Sequence, residues 1–244
     1  FPAELVQKTA VPLSPGKFEL SNYVSRGLDL SSAVVLNDIS NSQVPSHDSN
    51  NSAIGSSLAG YKLNIGVTDK LELGGRYYWD GIGTSDFSTK SSGYRLGAKY
   101  LLWHQKNLFL AVMPSINVMK GEMHSDDDWS FDKLPVDKED AYYNSFGYEA
   151  QFIGTFAPCP YISFTAVQKF SHNNYNEKYN GHSYPTQGIN HWGTDINMKV
   201  GYKPIFLIFE AGMENVSVVN GADTYLETVA VGVGIRSWDN KKKK

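Results

Sequence analysis

Three features that the 244-residue sequence lacks narrow the class of protein. It has one cysteine, Cys159, so an internal disulfide framework is excluded. Its formal net charge is -3, without the basic excess of a general nucleic-acid binder, so we expect no nucleic-acid partner. Its longest apolar runs, such as 205–209, are far shorter than the roughly 18 residues that a membrane-spanning helix needs. If the chain crosses a membrane, it must do so as a closed sheet.

What the sequence does contain is a regular alternation of apolar residues with polar or small ones. This period of two is typical of β strands with two different faces, and no long segment has the period of an amphipathic helix. In the last such segment, Val229, Val231 and Val233 share one face, while Ala230 and Gly232 share the other. The pattern predicts ten strands, near 17–36, 53–67, 70–80, 92–103, 107–119, 143–156, 161–172, 192–203, 205–218 and 225–238.

The connections between the predicted strands alternate in length. Short turns fall at 68–70, 104–106, 158–160 and 203–204, and long polar connections fall near 37–52, 81–91, 120–142 and 173–191. Transmembrane barrels of the bacterial outer membrane have this asymmetry, with short periplasmic turns and longer extracellular loops. With an even number of strands, both termini are predicted to lie in the periplasm.

Alternation alone does not say which face points outward, because a soluble barrel alternates too and buries its apolar face. The aromatic residues favour a membrane barrel, since many of them gather near predicted strand ends, as at Tyr77, Tyr78 and Trp79. Amphipathic rings at both ends of an apolar band are what two membrane interfaces select. In the first strand, Asn22 and Arg26 would interrupt the apolar face, so a bulge is predicted next to Arg26.

Two segments resemble known outer-membrane barrels. The hairpin from Gly60 to Gly75 is similar to their periplasmic hairpins, and the closing strand ending at Trp238 resembles their terminal aromatic strand. The resemblance implies an all-β, antiparallel transmembrane barrel of about ten strands in the bacterial outer membrane. Its partners would be outer-membrane lipid and lipopolysaccharide. The chain departs from the pattern after Trp238, where Asp239, Asn240 and four lysines follow.

The chain therefore divides into a barrel, 17–238, with a short segment at each end. The prefix 1–16 contains three prolines and is predicted to be an extended periplasmic segment or a partial plug. It is not preceded by the charged and apolar segments of an export signal, so we expect that any such signal has been removed. The basic tail, 239–244, is expected to be a solubilising end, with contact to anionic lipid or cell wall as the alternative.

Charged residues on the polar face are the main candidates for function. About ten strands enclose a narrow interior, so these charges are predicted to pair across it as a structural network. The alternative is that they line a narrow polar channel. Pairing is expected above all among Arg76, Arg95, Lys99, Glu149, Lys199 and Glu210. The full set is Lys62, Glu72, Arg76, Arg95, Lys99, Glu149, Lys169, Asp195, Lys199, Glu210, Glu214 and Arg236.

The predicted outer loops contain two further candidate sites. Asp126, Asp127 and Asp128 follow His124 and could bind Ca²⁺ or a transition metal, although the spacing matches no EF-hand and a solvated loop is the alternative. The loop 173–191 mixes Tyr, Asn, Gly and Ser, a composition typical of recognition surfaces, and an exposed polar loop with no partner is the alternative. Its candidate binding residues are Tyr175, Tyr179, His182 and Tyr184.

Three functions stay open at this point. The first is a non-enzymatic barrel that binds a partner, such as another envelope protein, or serves as a structural subunit of the envelope. The second is a narrow porin-like channel for small polar solutes. The third is a protease or lipid-modifying enzyme active at the rim, because the omptin proteases are barrels of about ten strands. No omptin catalytic dipeptide pattern is present, so we expect no catalytic residues, and no cofactor is predicted.

Overall fold

The alternating segments form ten long antiparallel β strands and one strand of two residues in the computed structural model. The structure describes residues 9–28, 55–83, 87–125, 139–179, 182–183, 186–202, 204–218 and 223–237. No helix in these described ranges is long and apolar enough to cross a membrane. The strands are β1 (Phe18–Leu28), β2 (Gly55–Gly66), β3 (Leu71–Gly83), β4 (Phe87–Gln105), β5 (Leu108–Ser125), β6 (Glu139–Cys159), β7 (Ile162–Tyr179), β8 (His182–Ser183), β9 (Gln187–Tyr202), β10 (Ile205–Val218) and β11 (Asp223–Arg236).

The sheet closes on itself. The long strands pair with their neighbours in chain order, and β1 also pairs with β11, where Glu19 lies opposite Arg236. The two-residue β8 pairs with the end of β7, so the ring itself contains ten strands. Closure leaves no unpaired sheet edge, which is the condition for a sheet to cross hydrocarbon. The predicted antiparallel barrel of about ten strands is confirmed.

Most of the long strands, namely β3 to β7, β9 and β11, extend further at the outer end of the barrel, opposite the short turns, than the alternation predicted. β4 begins at Phe87, inside the predicted connection 81–91, and β7 continues to Tyr179, inside the predicted loop 173–191. β6 contains 21 residues, whereas about 9–11 residues suffice to cross a bilayer. About half of β6 therefore lies beyond the hydrocarbon. There the outward face meets water, so the apolar alternation stops although the backbone hydrogen bonds continue.

Apolar side chains cover the outside of the barrel, as predicted. Val229, Val231 and Val233 all point outward, and Val231 is 51% exposed. Outward rings also mark the end with the short turns, where Tyr161 and Tyr202 lie 5.5 Å apart between their centroids. An apolar exterior around a polar interior is the arrangement that lipid requires of a barrel. The barrel therefore has the exterior of a membrane-spanning protein, and the end with the short turns is the one that outer-membrane barrels place in the periplasm.

The predicted bulge in the first strand is wrong. The register of β1 against β2 and β11 runs through Asn22 without a shift, and Asn22 stays on the outer face, half-buried. The outer face therefore accommodates one polar side chain, and no bulge is needed to turn that side chain inward. The irregularities occur instead near the short turns, between Leu101 and Trp103 and between Phe156 and Cys159.

Inward tyrosine rings pack against glycines on the neighbouring strand. Tyr23 lies over its cross-strand partner Gly60, and Tyr78 lies over its partner Gly93. A Cβ atom on either glycine would overlap the ring, so the absence of a side chain is what lets the ring lie flat against the wall. Tyr78 was predicted at the membrane interface, but the alternation with Tyr77 and Trp79 turns it into the lumen, where it is buried.

A methyl group at Gly93 should destabilise the barrel by about 1–3 kcal/mol, because it would force the buried Tyr78 ring from its place. Gly75→Ala is the matched control, since a Cβ there would meet only Leu96, at 3.5 Å. The measurement is the free energy of unfolding in urea for both variants. Equal values for Gly93→Ala and Gly75→Ala would show that the ring does not depend on the glycine.

An arginine on the lipid face tests the orientation of the barrel wall. Val231 lies five residues before the end of β11 at Arg236, near the middle of the bilayer. Val231→Arg should therefore weaken folding into lipid vesicles by about 2–4 kcal/mol, whereas Val231→Leu should have little effect. The free energy of folding into vesicles is the quantity measured. A neutral Val231→Arg would mean that this face does not contact lipid.

Candidate functional site: the barrel lumen

All twelve charged residues proposed for the lumen lie on the inner face of the barrel. Ten of them are buried, and Arg76 and Arg236 are half-buried. The cause is the period of two, since the neighbours of each charged residue in the strand face outward, and most of them are apolar, as Tyr94 and Leu96 are on either side of Arg95. Whether they form a structural network or line a channel depends on how they are paired.

The first ion pair joins β4 and β6, the two strands on either side of β5. Arg95 on β4 donates from Nη1 to Oε1 of Glu149 on β6 at 2.9 Å, and both side chains are almost fully buried. The same carboxylate oxygen accepts a hydrogen bond from Gln151, and Ser115 Oγ lies 3.5 Å away. Charge-assisted hydrogen bonds of this kind are the strong ones in a protein interior.

A second group, the lysine triad, places Lys169 between two carboxylates. Lys169 Nζ lies 3.2 Å from Oδ2 of Asp195 and also contacts Glu214. These residues come from β7, β9 and β10, which are adjacent in the barrel. Gly193 faces the lumen between them, and a Cβ there would overlap Glu214, so the glycine makes room for the contact. His191 Nδ1 lies 3.6 Å from Glu214 Oε2 and extends the group.

A third group, the lower charge cluster, lies at the periplasmic end. Lys99 Nζ is 2.8 Å from Oε2 of Glu72, and Glu19 binds both Lys199 and Arg236, the latter at 2.9 Å from its Nη2. Glu19 is not among the twelve predicted lumen residues, although its position between the outward Phe18 and Leu20 places it on the inner face. The lower charge cluster comprises Glu19, Lys62, Glu72, Lys99, Lys199 and Arg236.

The pairing therefore differs in part from the expected one. Arg95 pairs with Glu149 as anticipated, whereas Lys99 and Lys199 pair with carboxylates outside the six residues that were expected to combine. Arg76 donates a hydrogen bond to the Tyr23 hydroxyl, and its guanidinium carbon lies 4.3 Å from the centre of that ring. Period-two analysis assigns a face but not the partner across the barrel, because the partner depends on register.

A cluster of apolar side chains, here called the apolar layer, lies in the lumen on the outer side of these charges. Tyr78 lies nearer the outer end of β3 than Arg76, and Tyr175 lies nearer the outer end of β7 than Lys169. Each residue of the layer is at most 5% exposed, and together they form one packed cluster. The layer consists of Tyr23, Leu58, Tyr78, Met119, Tyr175, Ile189 and Ala230, with Tyr143 packed against it.

The lumen contains a small pocket between the apolar layer and the charged groups, with room for roughly one water molecule. Tyr78 and Tyr175 line one side of it, and Glu149 and Lys169 line the other. A second small pocket lies within the lower charge cluster.

The loop candidates have mixed outcomes. Tyr175 lies on β7, 2% exposed and inside the lumen, rather than on a loop surface. The side chains of Tyr179, His182 and Tyr184, and all of Asp126, Asp127 and Asp128, lie outside the described residues. Within the described part of the chain, no three His, Cys, Asp or Glu side chains are grouped as a metal site would require. The metal site therefore stays a prediction.

Two histidines near the outer ends of β7 and β9 lie on opposite sides of the barrel wall. His172 points outward, where Nδ1 is 2.7 Å from Asn190 Oδ1 and its ring lies 5.4 Å from that of Tyr148. His191 points inward toward Glu214. The wall between them prevents the two imidazoles from acting on one substrate.

Comparisons with known proteins agree with the fold. No family model matches the sequence, and no curated protein matches it either. Among solved structures, the translocator domain of the autotransporter NalP from Neisseria meningitidis has a TM-score of 0.52 at 10% identity, over 92% of this chain and 90% of that one. The outer-membrane protease OmpT from Escherichia coli has a TM-score of 0.49 at 11% identity, over 94% of this chain and 100% of that one.

The likeness to the NalP translocator domain bears on the fold and not on activity, because the identity is so low. It agrees with the closed sheet and its apolar exterior. The chain has the fold of a bacterial outer-membrane β-barrel, with ten strands in the ring.

Removing one partner of the buried pair tests whether the lumen charges stabilise the barrel. Glu149→Ala takes the carboxylate from the buried Arg95 and should cost about 3 kcal/mol of unfolding free energy. The control is Glu122→Ala, which breaks a 4.0 Å pair with Lys90 whose side chains are 55% and 74% exposed, and should cost less than about 1 kcal/mol. Urea titrations of both variants provide the comparison. Equal small losses would indicate that Arg95 stays hydrated, as in a water-filled pore.

Proposed function

We propose that this protein is a non-enzymatic outer-membrane barrel, closed to solutes, that serves the envelope as a binding or structural component. One observation carries the proposal, namely the apolar layer. Its buried residues come from β1, β2, β3, β5, β7, β9 and β11, so the layer is built from all sides of the barrel. Side chains that meet from opposite walls obstruct the lumen rather than line it.

The pairing of the charges supports the same function. A channel for polar solutes needs a continuous polar path, and an apolar constriction excludes water and ions. Here the Arg95–Glu149 pair and the lysine triad satisfy much of their charge among themselves. Buried pairs of this kind are typical of a filled core, because charges removed from water must be compensated by partners. Along a water-filled pore, water would solvate the charges instead.

The part of the barrel wall that extends beyond the bilayer at the outer end, here called the outer wall, supports a role in binding. The outward side chains of Tyr142, Asn144, Asn176 and Lys178, near the outer ends of β6 and β7, are exposed. Tyrosine and asparagine suit contacts with proteins or sugars, and lysine suits the phosphate groups of lipopolysaccharide. We propose that this outer wall contacts lipopolysaccharide of the outer leaflet or another envelope protein.

Planar-bilayer recording tests the closed barrel directly. The native protein and Glu149→Gln should both show no steady current, because the apolar layer blocks the lumen independently of that charge. A porin inserted under the same conditions serves as the positive control. A stable, ion-selective conductance in the native protein, with a selectivity that shifts in Glu149→Gln, would contradict the proposal and favour the narrow channel.

A further inference from the structure

A segment of backbone enters the periplasmic end of the lumen. Ala10 is 0% exposed and packs in one cluster with the wall residues Ala111, Met113 and Ile153. Its backbone N–H donates to Thr155 Oγ1 at 2.7 Å. Residues 9–13, here called the plug segment, thus lie inside the barrel and occupy the space between the wall and the lower charge cluster.

The Lys99–Glu72 ion pair holds the plug segment by its backbone. Lys99 Nζ donates to the carbonyl oxygens of Thr9 at 2.8 Å and Val11 at 3.2 Å. Glu72 Oε2 accepts the backbone N–H of Leu13 at 3.1 Å. The cation binds carbonyls and the anion binds an amide, so the pair recognises an extended backbone and not particular side chains.

The charge balance of the lower charge cluster explains why carbonyl groups are bound there. Its described members are four cations and two carboxylates. Lys199 and Arg236 share Glu19, and Lys199 Nζ also lies 3.8 Å from the centre of the Phe206 ring. The cations outnumber the carboxylates in this cluster. The plug carbonyls supply further, uncharged acceptors, and two of them bind Lys99.

The chain leaves this site through a close turn. Gly16 has φ of 72°, donates its N–H to the Gly66 carbonyl at 2.9 Å, and leads into β1. A Cβ at Gly66 would overlap the backbone carbonyls of Leu13 and Ser14, so the plug segment passes directly over this glycine. Unlike β1, the plug segment belongs to no strand, and side chains rather than a sheet ladder hold it.

We propose that the periplasmic end of the lumen is a binding site for an extended peptide backbone, occupied here by the plug segment of the same chain, which can release and rebind. The site takes a small residue at the position of Ala10, because that side chain is enclosed by the wall, and it recognises the flanking backbone through Lys99 and Glu72. This site is distinct from the apolar layer on which the proposed function rests.

Cysteine labelling measures release of the plug segment. In a Cys159→Ser background, Ala10→Cys supplies one buried thiol, and Ser14→Cys, in a separate variant, supplies an exposed reference at the next turn. In folded protein, the thiol at position 10 should react with a polar maleimide at least tenfold more slowly than the thiol at position 14. Equal rates would overturn the proposal, because they would mean that the plug segment does not occupy the site in solution.

Two matched lysine variants of the Ala10→Cys protein then test the recognition of the backbone. Lys99→Met removes two hydrogen bonds to the plug segment and should speed labelling at position 10 about tenfold or more. Lys199→Met also breaks a buried ion pair in the same cluster, with Glu19, and should change the rate much less. Heat-dependent migration in gels confirms that each variant is folded. Equal acceleration in both would overturn a specific role for Lys99.

A glycine pair repeats the test without removing a charge. Gly66→Ala should speed labelling at position 10, because its methyl group would meet the plug backbone. Gly154→Ala is the control, since a Cβ there would approach Leu110 no closer than 3.6 Å. Unchanged labelling in Gly66→Ala would count against the docked position of the plug segment, even if Lys99→Met failed to fold.

A peptide added in trans tests the site itself. The synthetic peptide Thr-Ala-Val-Pro-Leu, which copies residues 9–13, should speed labelling of the Ala10→Cys protein by occupying the site whenever the plug segment releases. The same peptide with Arg in place of Ala should have no effect. No difference between the peptides would overturn the requirement for a small residue. If the protein conducts no current but position 10 is labelled freely, the proposed peptide-binding site is contradicted and the proposed closed barrel is not.

Discussion

A sheet that crosses lipid must close and must turn its polar side chains inward, and the rest of this structure follows from that constraint. Ten strands enclose a space too narrow for a dozen hydrated charges, so the charges combine with one another. Arg95 and Glu149 pair across β5, and Lys169 lies between Asp195 and Glu214. The same narrowness gives glycine its role, since Gly193 makes room for Glu214 and Gly93 makes room for the Tyr78 ring.

The face of each residue could be predicted from the sequence, because a period of two depends only on local geometry. Alternation placed Lys62, Arg95 and Asp195 inside and Val231 outside, and the structure agrees. The same alternation also puts Glu19 and Tyr78 on the inner face, where both are buried. The outer limits of the strands were underestimated because, beyond the membrane, the pairing of β6 and β7 continues without an apolar face to mark it.

Contacts between distant segments could not be predicted in this way. Lys99 contacts a segment 90 residues earlier in the chain, and Lys199 contacts Glu19, 180 residues away. Both contacts depend on the register and tilt of several strands together, which no single window of sequence contains. The prolines of the prefix were compatible with an extended segment or with a plug, and the lumen side chains that bind residues 9–13 are what distinguish the two.

The two obstructions that we propose for the lumen depend on different chemistry, and this difference determines how each could be removed. The apolar layer is held by ring packing, which is insensitive to salt and requires several side chains to move together. The plug segment is held by a few hydrogen bonds to charged groups, which compete with ions and with other peptide backbones. On these proposals, the barrel stays closed near its outer end, whereas the plug segment at its periplasmic end can exchange. Displacing the plug segment would therefore expose a cationic pocket to the periplasm without opening a path across the membrane.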